Sequence, residues 1–328
     1  MRRKKFSFFK FLKNNPVVIV FTIIFIAGLW LGFNIGRKSV EWEQREGRPL
    51  RKTYTAEKKK IPSESPFAAF FRKREVKIVP QSGVGKIGRP VKISPVPKKK
   101  GLPRVVIMLD DIGYSKAYKD ILFSIQPKMT LAILPQVVFT KYYVQEAKKR
   151  GYETILHQPL EPDNENGIYN PGAGVILTSM KPDEVRNILS VNLNDVPWAV
   201  GINNHMGSKA TRDEVLMEIL MGELKTRKLF FLDSLTHSKS IAYDVALSEG
   251  IPAFKRDVFL DRENDFEYIK GQFAQAVQIA KEQGYAVAIG HPYDNTLQVL
   301  KLKMPTLKNE GVQISTLKDL LQDANARD

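Results

Sequence analysis

The residues of this chain that could do chemistry stand at the ends of apolar runs. Asp110 and Asp111 follow Val105 to Leu109, His157 and Glu161 follow Tyr152 to Leu156, and Asn203, Asn204 and His205 follow Ala199 to Ile202. Asp233 and Ser234 follow Leu229 to Leu232, and His291 follows Ala286 to Ile289. A carboxylate and two imidazoles make a suitable three-ligand set for a catalytic Zn²⁺ with one position open for water. Such an ion lowers the pKa of water and polarises a carbonyl, while a separate carboxylate takes the proton and an imidazolium protonates the leaving group. One Asp of the pair is then expected to bind the ion and the other to be the base, with His291 as the acid. Adjacent residues of a strand point to opposite faces, so Asp110 and Asp111 are expected to have different tasks. A serine hydrolase fits less well, because neither Ser208 nor Ser234 stands in a Gly-x-Ser-x-Gly elbow. A two-carboxylate glycosidase, using Asp110 or Asp111 with Asp233 or Glu161, leaves the histidines unexplained.

The elements that must position these residues begin after Gly101. Eight short apolar runs read as strands: Val105 to Leu109, Met129 to Leu134, Tyr152 to Leu156, Ala199 to Ile202, Leu229 to Leu232, part of Ala253 to Leu260, Ala286 to Ile289, and Val312 to Ser315. Amphipathic patterns between them read as helices. The clearest is Thr211 to Thr226, where Thr211 and Glu214 are expected to form a capping box. Pro159 and Pro162 predict a loop around His157 and Glu161. The alternation predicts an α/β fold, an irregular (β/α)7-8 barrel whose strand C-terminal ends gather the reactive groups on one face. Three of the four histidines of the chain stand there, while His237 reads as a surface residue. No Gly-x-Gly-x-x-Gly or phosphate-loop motif argues for a nucleotide site.

The net charge of +16 does not point to nucleic acid, because of where it sits. Residues 1–100 hold 25 Lys and Arg against 6 Asp and Glu, and residues 101–328 hold 26 against 29. The basic character therefore belongs to the N-terminal part. After a short basic segment, 1–15, the uncharged stretch over 16–36 is long enough as a helix to cross a membrane and is expected to be an anchor. Residues 37–101, with Lys58-Lys59-Lys60 and Lys98-Lys99-Lys100, read as a basic, Pro-containing, disordered linker. The barrel is expected over 102–323, with 324–328 as a tail. Basic residues flank the anchor evenly on both sides; dilution of the trailing ones by Glu41, Glu43 and Glu46 favours the N-terminus inside. The expected location is the inner membrane, single-pass, with the barrel on the periplasmic or extracytoplasmic side. The absence of cysteine is compatible with an oxidising exterior.

Six blocks carry a resemblance: Leu109-Asp110-Asp111-Ile112-Gly113, His157-Gln158-Pro159-Leu160-Glu161-Pro162, Gly201 to Ser208, Phe231-Leu232-Asp233-Ser234, Arg256 to Asp261, and Ile289-Gly290-His291-Pro292. Together, over residues 103–322, they resemble the divergent polysaccharide deacetylase family, itself distantly similar to the NodB-like carbohydrate deacetylases. The resemblance implies hydrolysis of acetyl groups on an envelope polysaccharide or peptidoglycan, with Zn²⁺ or another divalent transition metal. It implies Asp110 as base, Asp111 and His157 as metal ligands, and His291 as acid. Where typical deacetylases have His-x-x-x-His this chain has His157-x-x-x-Glu161, so either His205 or Glu161 completes the metal set. His205 ranks first because it ends a strand. Asn203 and Asn204 are expected to bind substrate or support the site, Asp233 to orient an imidazole, and Arg256 with Asp257 to pair or orient a catalytic Asp. An altered ligand set is equally what an inactive, glycan-binding or partner-binding relative would show.

Overall fold

The computed structural model of the protein describes residues 101–325, apart from 126–127 and 165–166. The expected anchor, and the linker up to residue 100, lie outside the described residues. Among the described residues no helix is long and apolar enough to cross a membrane.

The strands are β1 (Arg104–Ile112), β2 (Thr130–Ile133), β3 (Glu153–Leu160), β4 (Gly201–Met206), β5 (Phe230–Asp233), β6 (Ala253–Lys255), β7 (Val258–Phe259), β8 (Tyr285–Gly290) and β9 (Gln313–Ser315). The helices are α1 (Lys119–Leu122), α2 (Thr140–Arg150), α3 (Pro182–Asp195), α4 (Glu214–Arg227), α5 (Ala242–Ser248), α6 (Phe266–Gln283), α7 (Asp294–Lys303) and α8 (Leu317–Asn325). The strands pair in the order β6-β5-β4-β3-β2-β1-β8-β7, and β9 pairs with the first residues of β1. All pairs are parallel. A parallel sheet buries both faces, which is why its strands read as continuous apolar runs.

The expected barrel is a curled sheet whose hydrogen-bond ladder does not close. The run Ala253 to Leu260 makes two strands, β6 and β7, which lie at opposite ends of the sheet. Arg256 and Asp257 span the gap: the Arg256 N–H donates to the Asp233 carbonyl of β5 at 3.0 Å, and the Asp257 N–H to the Val287 carbonyl of β8 at 2.9 Å. A covalent dipeptide thus joins the two edges where a closed barrel would have a ladder.

Alternation along the strands divides the core in two. Val105, Ile107 and Leu109 of β1 pack outward with Leu156 of β3, Ile202 of β4 and Phe231 of β5 against the helices. Val106 and Met108 face inward with Ala132, Ile155, Leu232, Phe254, Val287 and Ile289. The inner cluster is sealed at one end by Leu317 and Leu320 of α8. This helix is held by Glu153 at the start of β3, whose carboxylate accepts the N–H groups of Leu317 at 3.1 Å and Lys318 at 2.9 Å, together with the Thr130 hydroxyl at 2.7 Å. An anion at a helix N-terminus satisfies otherwise unpaired amides.

Two local expectations change. β3 continues through Pro159 to Leu160. This is tolerated because β2 pairs only as far as Leu156, and the bridge to Ile176 that follows uses the Pro159 carbonyl, which accepts the Ile176 N–H at 3.0 Å, and not its missing N–H. Thr211 lies in a 3₁₀ turn (Ala210–Arg212) and bonds the Gly207 carbonyl, so α4 is capped instead by Asp213, whose carboxylate accepts the Leu216 N–H at 2.9 Å. A nearer acceptor two residues later displaces the capping box.

Candidate active site

The inward parity that buries Val106, Met108, Ile155, Leu232, Val287 and Ile289 continues within β1 and β3 and just beyond the ends of β5 and β8. It carries Asp110, His157, Ser234 and His291 into one cleft of about 430 Å³, together with Asp111, His205, Arg256 and Arg262. Asp111 is one residue out of phase and should point away. It reaches the same cleft because its φ is +58° and the β1–β2 register slips between Leu109 and Ile112. A bulge with a left-handed residue re-aims the side chain, and Asp is among the few residue types that adopt this backbone readily. Both carboxylates therefore face one site, although by different backbone routes.

Three lone-pair atoms converge there. Asp111 Oδ1 lies 2.9 Å from His205 Nδ1 and 3.1 Å from His157 Nε2, and the two imidazole nitrogens are 3.1 Å apart. A triangle of this size lets a single ion reach all three atoms at ordinary Zn–N and Zn–O lengths of about 2.0–2.2 Å, so Asp111, His157 and His205 form a group able to hold a metal. The hydrogen bonding supports the same role. The Asn203 amide donates to Asp110 Oδ1 and to the Ser234 hydroxyl, both at 2.9 Å, which turns its oxygen toward His157 Nδ1 at 2.9 Å. That oxygen only accepts, so Nδ1 carries the proton and the His157 Nε2 lone pair faces the cleft. Asn203→Ala is expected to lower affinity for a divalent ion by about 10–100-fold, measured by competition with a metal-binding dye.

The charges agree. Burial opposes ionisation of Asp111, yet the hydrogen bonds of His157 and His205 hold its carboxyl well below the usual carboxylate range. Burial likewise opposes charging of His157, but Asp110 and Asp111 raise its pKa. The site calls for positive charge at its centre, supplied by a proton or a metal cation. Asp110 is raised by its burial, against the pull of His157 and His291. It stands 3.8 Å from His157 Nε2.

His291 enters from the end of β8. Its Nδ1 lies 3.0 Å from Asp261 Oδ1, and its own N–H and the Thr296 hydroxyl donate to Asp261 Oδ2 at 2.5 and 2.8 Å. Gly290 permits this approach, since a Cβ there would stand 3.1 Å from Asp261 Oδ2. Nε2 is left facing the cleft, 3.9 Å from Asp111 Oδ2. Phe259 and Tyr293 flank the ring at 5.6 and 5.4 Å. Burial alone would lower the His291 pKa, but the Asp261 bond and charge outweigh it and raise it to about 9.

Other candidates take different places. Glu161 is not among the converging ligands: its carboxylate accepts from the Thr178 N–H and hydroxyl and from Lys209 Nζ, each at 2.7 Å. Asp233 does not orient His291. Its parity is outward with Phe231, and it accepts from the Leu235 N–H at 2.8 Å and the Ser240 hydroxyl at 2.6 Å. Asp261 does the orienting; it lies two residues beyond β7, whose neighbour β8 ends at Gly290 just before His291. Asn203 and Asn204 have their amides spent inside the protein, Asn204 on the Ser234 N–H, the Met206 carbonyl and Thr236. They position the site and leave no free amide for a substrate. Arg256 and Asp257 do not pair with each other: Arg256 donates to the Ser234 and Leu235 carbonyls, and Asp257 accepts the Val287 N–H.

With this geometry in place, the relatives are informative. The profile of the divergent polysaccharide deacetylases matches residues 107–321, and the chain belongs to that family. An uncharacterised protein of Haemophilus influenzae is 36% identical over 211 residues, 64% of this chain and 74% of that one. The uncharacterised protein YibQ of Escherichia coli is 33% identical over 198 residues, 60% of this chain and 61% of that one. Among solved structures, the uncharacterised protein ATU2773 of Agrobacterium tumefaciens superposes with a TM-score of 0.64 at 22% identity, covering 68% of this chain and 91% of that one, and shares the fold.

Proposed function

We propose that the protein is a metal-dependent hydrolase that removes acetyl groups from a cell-envelope polysaccharide or peptidoglycan. The observation that carries the reading is the convergence of Asp111, His157 and His205 on one point, with Asp110 and His291 within 4 Å of the group, in a chain of a polysaccharide deacetylase family. A divalent ion held there, Zn²⁺ or a similar metal, supplies a Lewis acid and a water of lowered pKa. Asp110, whose burial moves its carboxyl toward neutrality, takes the proton of the attacking water. Its bond to Asn203 fixes the carboxylate relative to the imidazoles. His291 holds a proton at Nε2 for the departing nitrogen or oxygen, and the products are acetate and a free amine or hydroxyl. Asp261 keeps that proton in place by bonding Nδ1.

The acid must be protonated, so activity is lost as pH rises through the His291 pKa. Asp261→Asn removes the charge that raises it and is expected to move the alkaline limb of kcat/KM down by about one pH unit or more. An unmoved limb in a full pH–rate profile would assign the acid elsewhere. The function itself is tested by elemental analysis of the purified full-length protein and by acetate release from acetylated chito-oligosaccharides and peptidoglycan. Protein that holds no metal and stays inert with added Zn²⁺, Co²⁺ or Ni²⁺ would instead support an inactive glycan-binding relative. We further propose that residues 16–36 anchor the chain in the inner membrane, with the barrel outside the cytoplasm. Carbonate-resistant membrane association, and protease sensitivity of the domain in spheroplasts whose inner membrane is intact, are the expected results.

A further inference from the structure

One wall of the cleft carries two guanidinium groups, Arg256 and Arg262. Arg256 is aimed by the backbone: its Nε donates to the Ser234 carbonyl at 2.8 Å and its Nη2 to the Leu235 carbonyl at 3.0 Å, while the group lies over the Phe259 ring at 5.1 Å. These bonds use one side of the fork, and Nη1 makes no hydrogen bond among the described residues. Arg262 is exposed and makes no hydrogen bond or ion pair among the described residues. Glu263, beside it in the chain, does not pair with it either. Asp110, Asp233 and Asp257 offset part of the Arg256 charge, but none forms an ion pair with it. Burial and the nearby Arg262 charge together push the Arg256 guanidinium below its usual pKa. Two like charges brought together at a cleft wall raise the energy of the free protein. An oxyanion between them would relieve that repulsion, and the planar fork of arginine suits bidentate oxyanions.

We propose that Arg256 and Arg262 form an anion subsite, and that the glycan presented to this cleft carries a singly charged oxyanion, a carboxylate or a phosphodiester, close to its acetyl group. The inference rests on the deacetylase reading for the acetyl group, but not for the anion. Arg256 is fixed by carbonyls and defines where the anion lies. Arg262, exposed at the rim of the same cleft, selects for charge.

The test is calorimetric titration of the full-length protein in neutral detergent with three acetylated oligosaccharides of equal length. One is neutral (an N-acetylchito-oligosaccharide), one bears the carboxylates of N-acetylmuramic acid, and one bears phosphodiesters. The wild type is expected to bind one anionic oligomer about tenfold more tightly than the neutral one, the equivalent of one charge-assisted hydrogen bond. The preferred oligomer identifies the source of the oxyanion, and the preference should shrink as salt is raised. In Arg262→Gln, with an unchanged thermal melt, the preference is expected to fall to within about twofold, and in Arg262→Lys to be partly retained. Equal binding of all three oligomers by the wild type, binding of none, or a preference that survives Arg262→Gln overturns the subsite. Acetate release is read separately. Charge-selective binding without acetate upholds the subsite and rejects the deacetylase, whereas acetate release without charge selectivity does the reverse.

Discussion

Replacing His205 by alanine is expected to abolish stoichiometric metal binding and acetate release, while replacing Glu161 by alanine leaves the metal in place. His205 supplies one of three lone-pair atoms spaced 2.9–3.1 Å apart. Removing it leaves two ligands, too few to hold a transition metal against water and buffer. The loss should exceed the about 10–100-fold effects of residues that only orient a ligand. Glu161, by contrast, is neutralised by Lys209 at 2.7 Å and lies on a loop tied to Thr178. Its loss removes a partly exposed ion pair worth about 0–1 kcal/mol. Metal content by mass spectrometry under native conditions checks both variants. Retention of metal by His205→Ala together with its loss from Glu161→Ala would show that the loop rearranges to bring Glu161 in.

A second large effect is expected far from the cleft. Leu317→Ala should lower stability by about 2–5 kcal/mol, read as a lower midpoint in urea with unchanged metal content of the folded protein. Leu317 is fully buried and, with Leu320, closes the inner cluster formed by Val106, Met108, Phe254 and their neighbours. The cavity left by truncation borders residues already fixed by the sheet, which cannot collapse to fill it. If the loss is under about 1 kcal/mol, α8 is not a structural seal. Glu153→Gln tests the same contact from the other side, weakening two charge-assisted bonds to the α8 amides.

Much of this was legible in the sequence, for identifiable reasons. Apolar runs bounded by polar residues mark the strands because a parallel sheet has no wet face. The end positions of Asp110, His157, His205 and His291 follow from the same runs. Period-two parity, counted from Val106, Ile155, Leu232 and Val287, also separates Ser234, which enters the cleft, from Asp233, which does not. What parity could not give is Asp111. Its arrival depends on a left-handed backbone and a slipped register, and neither leaves a compositional trace at an Asp-Asp pair. Asp261 was hidden for a related reason: it meets His291 only because β7 and β8 are neighbours, a pairing made by the fold across 30 residues. The open ladder was hidden too, since the run Ala253 to Leu260 reads only as a strand in part, and nothing in it shows that the Arg256 and Asp257 amides serve different neighbours.

That interrupted ladder has a bearing on how the domain behaves in a crowded compartment. An open sheet exposes rows of unpaired amides that can template pairing with other chains. Here the two terminal strands are three and two residues long, β6 and β7, and they are neighbours in sequence. Neither offers enough backbone to recruit a foreign strand, and the dipeptide between them has committed both of its N–H groups inward. The sheet thus gains the colloidal safety of a sealed barrel without having to close one.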